Sequence, residues 1–291
     1  MTYDLFICDR SFSSWSLRGW LMLEKFGIPY RSHLVGLYSG TMAADLAPLA
    51  PALQVPVLRT PEGIVVGQSL AMAETLAELH PEAGLWPAGP AARATARWLC
   101  AEMVSSFSAL RGECPMQLLY CFEGFQPSKE TLSDLARIET LWSHARAVSG
   151  VATGPLFGTY SLADVFYVPV AARIVGYGLP VSAAARDYCL FLLGDTAVRQ
   201  WRAMGLTVQY DPMPYALDLP TLDWPVGTPS AARAVEAGPS VNASCPYSGN
   251  PVTDFLELDG SIWGFCNAFC RDKTVADPGA WPKFTAMVAK G

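Results

Sequence analysis

Ser11, Ser13 and Ser14 crowd the point where an apolar, strand-like run (Tyr3 to Cys8) gives way to a helix-like run ending near Gly27. A helix start offers unpaired N–H groups and partial positive charge, and serine hydroxyls add donors, so the turn suits an anion. A second constellation is Leu53-Gln54-Val55-Pro56-Val57. With a cis Val55–Pro56 bond, Val55 would turn its N–H and C=O outward, where an extended peptide could pair as an added strand. A third is Gly67-Gln68-Ser69-Leu70-Ala71, a polar turn at another helix start, which suits a carboxylate. A small peptide with a thiol in its middle and a carboxylate at one end would touch all three places.

The fourth constellation lies far downstream. Cys245, Cys266 and Cys270 follow the spacing C-x20-C-x3-C. Three thiolates can bind zinc, and a structural site needs a fourth ligand. Asp272 and Asp277 are the candidates, and Ser248 stands where a second knuckle cysteine is wanted.

The elements that must position these groups read as follows. Residues 1–82 alternate short strands and helices: strand, helix, strand, then strand, strand, helix, which is the thioredoxin-like plan. Residues 91–215 read as an all-helical domain, with helices expected at Ala91–Arg111, Ser128–Ser149, Leu162–Val175 and Ala183–Trp201. Ser161 to Asp164 fits a capping box, with Asp replacing the usual Glu or Gln. Residues 216–240 are rich in Pro, Ala and Gly and read as a linker. Residues 241–291 regain aromatic content but are too few to build a large core, so a metal or partner surface is expected to support them.

The chain has 291 residues, is 51% hydrophobic and carries a formal net charge of -6, enough for a packed core over about two domains. A diffuse acidic balance without a Lys/Arg run argues against nucleic acid. No apolar run approaches the ~20 residues that span a bilayer, and the N-terminus lacks a signal-peptide layout. The expectation is a cytoplasmic protein whose eight cysteines are mostly buried free thiols.

Taken together, Ser13-Ser-Trp-Ser16-Leu-Arg18, Gln54-Val55-Pro56, Gln68-Ser69-Leu-Ala and the capping box resemble the glutathione S-transferase superfamily over residues 1–210. The pairing of Gln-Val-Pro with Gln-Ser-Leu-Ala is most similar to its zeta class, which includes maleylacetoacetate isomerases. The resemblance implies a thioredoxin-like domain followed by an all-helical one, with glutathione as cosubstrate and a homodimer. Ser13 would be the catalytic serine, donating to the glutathione sulfur and favouring its thiolate, with Ser11 and Ser14 as rivals. Val55 with Pro56 would bind the cysteinyl backbone, Ser69 the γ-glutamyl carboxylate, Gln68 the ammonium without contributing charge, and Gln54 a glycyl or backbone group. Arg18 is expected in an ion pair. The small electrophile would sit beside Arg97, Met103, Phe107, Arg111 and Met116. The implied activity is conjugation to an electrophile, with cis–trans isomerisation or a non-catalytic metal-binding role as alternatives. The tail resembles TRASH and YHS metal-handling modules, which implies a metal, zinc for instance, on Cys245, Cys266 and Cys270; a metal-free packed module whose thiols serve as small apolar residues and a redox pair are the alternatives.

Overall fold

The structure, a computed structural model, describes residues 2–37, 39–227 and 231–290. Residues 228–230, inside the expected linker, fall outside that description, as do Met1, Tyr38 and Gly291 at or within the expected domain bounds. The chain divides into two compact units: residues 1–193 with 215–223, and residues 194–214 with 224–291.

The first unit begins with β1 (Tyr3–Ile7), α1 (Ser14–Glu24), β2 (Tyr30–Leu34), α2 (Met42–Leu46), β3 (Val57–Arg59), β4 (Val65–Gly67) and α3 (Ser69–Leu79). The four strands form one sheet in the order β2-β1-β3-β4, with β2 parallel to β1 and the others antiparallel. This is the thioredoxin-like α/β plan expected from the sequence. β1 alternates strictly, burying Tyr3, Leu5 and Ile7 on one face. On α1, Leu17, Leu21 and Met22 have no exposed surface, and each such burial is worth about 1.5–3 kcal/mol.

The helical part follows with α4 (Pro90–Ser105), α5 (Ser108–Glu113), a short strand β5 (Cys121–Phe122), α6 (Lys129–Ser149), α7 (Leu162–Gly176) and α8 (Ala183–Gly194). Every residue of α7 is buried, and α7 packs against α1 and α4. Its start is fixed by Asp164, which accepts from the Ser161 N–H at 2.9 Å, the Leu156 N–H at 3.0 Å and the Tyr188 hydroxyl at 2.8 Å. Burial pushes this carboxyl upward, and these three donors, with the Ser161 hydroxyl at 3.1 Å, oppose that push. The helix expected over 91–111 instead breaks at Phe107, which takes a left-handed φ of 58°.

The second unit opens with α9 (Thr196–Gly205). The single helix expected over 183–201 therefore stops at Gly194, and Asp195 starts the next by accepting from the Ala197 N–H at 2.9 Å. Residues 221–222, β6 (Thr221–Leu222), pair with β5 in the first unit. The second unit then builds a three-stranded sheet from β7 (Arg233–Val235), β8 (Asp254–Leu258) and β9 (Ser261–Phe265), followed by α10 (Ala268–Ala276) and α11 (Pro282–Val288). Its core joins Ala203 of α9 to Leu256, Trp263, Phe265, Trp281 and Phe284. Arg199 of α9 pairs bidentately with Asp277, at 2.6 and 2.9 Å. Strands β6 and β7 thus interrupt the stretch that the composition marks as linker.

Candidate functional site

Ser13 is the N-cap of α1: its hydroxyl accepts from the Ser16 N–H at 3.2 Å and donates to the Ser16 hydroxyl at 2.8 Å. Ser16 in turn accepts from the Cys8 N–H at 3.0 Å, so the turn is tied to the end of β1. Ser13 and Ser14 line a cavity of about 500 Å³ together with Trp15, Arg111, Met116, Arg173 and Tyr215. Ser11 does not: it is 1% exposed and lies off the cavity wall. Burial pushes the neighbouring Cys8 thiol up, against the hydroxyls of Ser13 and Ser16, so Cys8 stays protonated near neutral pH.

Gln54, Val55, Pro56, Gln68 and Ser69 all line a second cavity, of about 710 Å³. The Val55–Pro56 bond is cis. Gln68 precedes α3 with φ 65° and ψ 122°, a conformation that costs a non-glycine residue about 1–3 kcal/mol. Ser69 is buried and starts that helix, while Gln54 and Gln68 are exposed at the rim. Trp15 and Arg111 belong to the walls of both cavities, so the serine turn and the residues around Pro56 and Ser69 adjoin.

Two contributors escaped the sequence reading. Gly19 lies on α1 where an added Cβ would come within 2.6 Å of the Pro56 Cβ, so glycine there lets Pro56 seat directly on the helix. A lone glycine inside a helical run was the available signal. Arg173 was also missed. It is 5% exposed, lines the smaller cavity, and donates to the carbonyls of Cys114 and Pro169 at 2.8 and 3.1 Å. Burial, then the charge of Arg111, pushes it down to about 10.

Arg18 departs from the expected ion pair. It is fully buried and donates to the Phe166 carbonyl at 2.9 Å, the Ser14 carbonyl at 3.2 Å and Met103 Sδ at 2.7 Å. Its guanidinium lies 4.6 Å from the Trp15 ring centre, and Arg111 lies 5.1 Å from the same ring. Among the described residues, no carboxylate comes within ion-pair distance of Arg18, Arg111 or Arg173. The expected electrophile residues divide. Arg111 and Met116 line the smaller cavity; Met103 and Phe107 are buried off its wall; Arg97 pairs with Glu74 at a different cavity.

In the second unit, the sulfurs of Cys245, Cys266 and Cys270 lie within 4.8 Å of one another. Burial alone would raise the Cys245 thiol, but N–H donors from Ser248, Tyr247 and Cys266 outweigh it and bring it down to about 7. Asp272 and Asp277, the expected fourth ligands, are instead paired with Arg271 and Arg199.

Comparison with known proteins follows this geometry. Residues 12–79 match the family model described as glutathione S-transferase, N-terminal domain. A protein named probable maleylacetoacetate isomerase from Caenorhabditis elegans is 34% identical over 110 residues, 38% of this chain and 50% of the relative. A maleylacetoacetate isomerase from Dictyostelium discoideum is 31% identical over 121 residues, 41% of this chain and 55% of the relative. The chain thus spans about half the length of the curated relatives it matches. A Burkholderia glutathione transferase homolog, solved with bound glutathione, superposes with TM-score 0.53 at 23% identity, covering 72% of this chain and 100% of that one. Glutathione transferase Omega 2S from Trametes versicolor gives TM-score 0.53 at 22% identity, with 71% and 95% covered. The chain has the glutathione transferase fold, and its residues 12–79 match the model of that family's N-terminal domain.

Proposed function

We propose that this chain, built on the glutathione transferase fold, binds glutathione, holds its sulfur as thiolate and adds it to a small electrophile. One observation carries the reading: Gln54, Val55, Pro56, Gln68 and Ser69 line one cavity, and Ser13 lines the cavity that shares Trp15 and Arg111 with it. In this reading Val55 pairs with the cysteinyl backbone, Ser69 and the start of α3 hold the γ-glutamyl carboxylate, Gln68 accepts from the ammonium, and Gln54 reaches a glycyl or backbone group. The sulfur then lies at the start of α1.

Ser13 acts as a donor. Its proton now goes to Ser16, and a sulfur anion is the stronger acceptor. A free thiol with pKa near 8.5 is about 3% ionised at pH 7. Lowering it by about two units needs roughly 2.7 kcal/mol of differential stabilisation. A charge-assisted hydrogen bond supplies about 1.5–3 kcal/mol and a helix start about 0.3–1. The thiolate attacks the electrophile in the smaller cavity. Calorimetry with glutathione, followed by ultraviolet titration of the bound thiol, tests this: uptake with a lowered thiol pKa supports it, and no uptake overturns it.

A second reading is glutathione-dependent cis–trans isomerisation through a transient adduct. Arg111 and Arg173, without carboxylate partners among the described residues, favour an electrophile that itself carries carboxylates. The named relatives point the same way. Turnover of maleylacetoacetate by the purified protein separates the two. Absence of both activities with metal binding intact would favour the non-catalytic alternative.

The reading extends to a homodimer, tested by light scattering, and to cytoplasmic residence, tested by fractionation. It also includes a thiophilic cation such as zinc on Cys245, Cys266 and Cys270, tested by metal analysis. The clustered sulfurs fit such an ion by donor type and spacing.

A further inference from the structure

The cysteine cluster is built more completely than its ligand count suggests. A thiolate-bound cation with metal–sulfur bonds of about 2.3 Å sets its sulfurs roughly 3.8–4.0 Å apart. Cys266 Sγ and Cys270 Sγ are 3.9 Å apart already. The Cys245 loop closes on itself, with the Gly249 N–H donating to the Cys245 carbonyl at 2.9 Å and the Cys245 N–H to the Asn250 carbonyl at 2.8 Å. Asn267 caps α10 by accepting from the Cys270 N–H at 2.8 Å, and its amide donates to Cys266 Sγ at 3.5 Å. The Ser248 hydroxyl donates to the same sulfur at 3.2 Å. Three sulfurs are thus preorganised from two loops and one helix start.

Among the described residues, no fourth ligand of comparable strength joins them. All three histidines, His33, His80 and His144, belong to the other unit. Asp254 and Asp272 are paired with Arg271, Asp277 with Arg199, and Glu257 with Arg233. Among the described residues no further His, Cys, Asp or Glu joins the cluster. Cys245 is buried, while Cys266 and Cys270 are only half-buried residues.

We propose that Cys245, Cys266 and Cys270 hold a divalent thiophilic cation through three thiolates and leave one coordination position for a small exogenous thiol, glutathione in particular. This rests on the metal reading of the cluster and is independent of the Ser13 site. The exchange balances without redox chemistry. Binding of the ion releases three thiol protons, and water takes the fourth position. An incoming thiol then displaces that water and gives its own proton to solvent. Three thiolates on a divalent ion leave one net negative charge, and a fourth leaves two. Lys273, one turn beyond Cys270 with Nζ 4.1 Å from the ring centres of both Tyr247 and Trp281, offsets that excess.

The test is titration of the reduced, full-length protein with Co²⁺, followed by glutathione. The expected result is tetrahedral ligand-field bands saturating at one ion per chain, then a rise of about one-third in thiolate-to-cobalt charge transfer as glutathione is added. S-methylglutathione, which lacks the thiol, should leave the spectrum unchanged. Ser248→Cys should supply the fourth thiolate, tighten cobalt binding and abolish the glutathione response. Ser13→Ala should keep that response, which separates this site from the transferase reading. Absence of tetrahedral bands would overturn the metal site itself. Bands indifferent to glutathione, or equally sensitive to its S-methyl form, would overturn the open position.

Discussion

The serine turn and the cysteine cluster use one local device for opposite purposes. Ser13 caps α1 by accepting from the N–H three residues on, and Asn267 caps α10 in the same way. What differs is the surrounding charge. Around the start of α1 stand hydroxyls and the guanidiniums of Arg111 and Arg173, which have no carboxylate within ion-pair distance among the described residues, a setting that favours an anion even with Asp9 turned to the Phe12 N–H. Around the start of α10 stand three sulfurs, with backbone N–H groups donating to Cys245 and the Ser248 and Asn267 side chains to Cys266, a setting that favours a cation. A helix start therefore does not dictate the sign of its ligand; the side chains gathered from distant segments do.

That contrast can be broken most forcefully at Ser13. Ser13→Ala should raise the bound thiol toward its free value and cut conjugation at pH 7 by about 25-fold, with recovery as the pH approaches 9. A loss of only about 1 kcal/mol in stability, with the rate intact, would leave Ser13 as a cap and nothing more. The independence of the two regions is sharpened by Asp277→Asn. Losing the half of a largely buried ion pair should cost about 2–3 kcal/mol in the second unit, seen by chemical denaturation. Metal uptake should weaken while glutathione uptake by the metal-free protein holds. Gly19→Ala reverses the selectivity: its Cβ would strike Pro56, costing about 1–3 kcal/mol and weakening glutathione by calorimetry while sparing the cysteines.

The smallest effect is acidic. Glu113 accepts from Ser128 and Thr131 at the start of α6, and the Thr131 hydroxyl above all holds it below its ordinary value. Its contribution is therefore fully present above the unfolded carboxyl pKa and is lost as pH falls through the lower folded value. Glu113→Gln should cost about 1 kcal/mol at pH 7 and flatten the loss of stability toward pH 3, followed by denaturant melts.

Legibility in the sequence tracked the range of the interaction. β1 was readable because its alternation is local, and α7 because Ser161 and Asp164 are three residues apart. The residues around Pro56 and Ser69 were readable as turns, and their meeting at one cavity needed the tertiary fold. The break at Phe107 was not readable, since no glycine or proline marks it. The break at Gly194-Asp195 carried a capping signal that was passed over. That α9 packs with the tail depends on Arg199 meeting Asp277 and Gln200 meeting Ala280, partners about eighty residues away. Arg18 read as an ion-pair residue because its partners, two carbonyls and a thioether, leave no trace in composition.

The placement of α9 has a consequence for how this protein can be cut or joined. The chain passes between the two units three times, after residues 193, 214 and 223. Deleting everything beyond 223 would not trim an appendage; it would strip Ala203 of α9 of the core it shares with Leu256, Trp263 and Phe284 and leave Arg199 without Asp277.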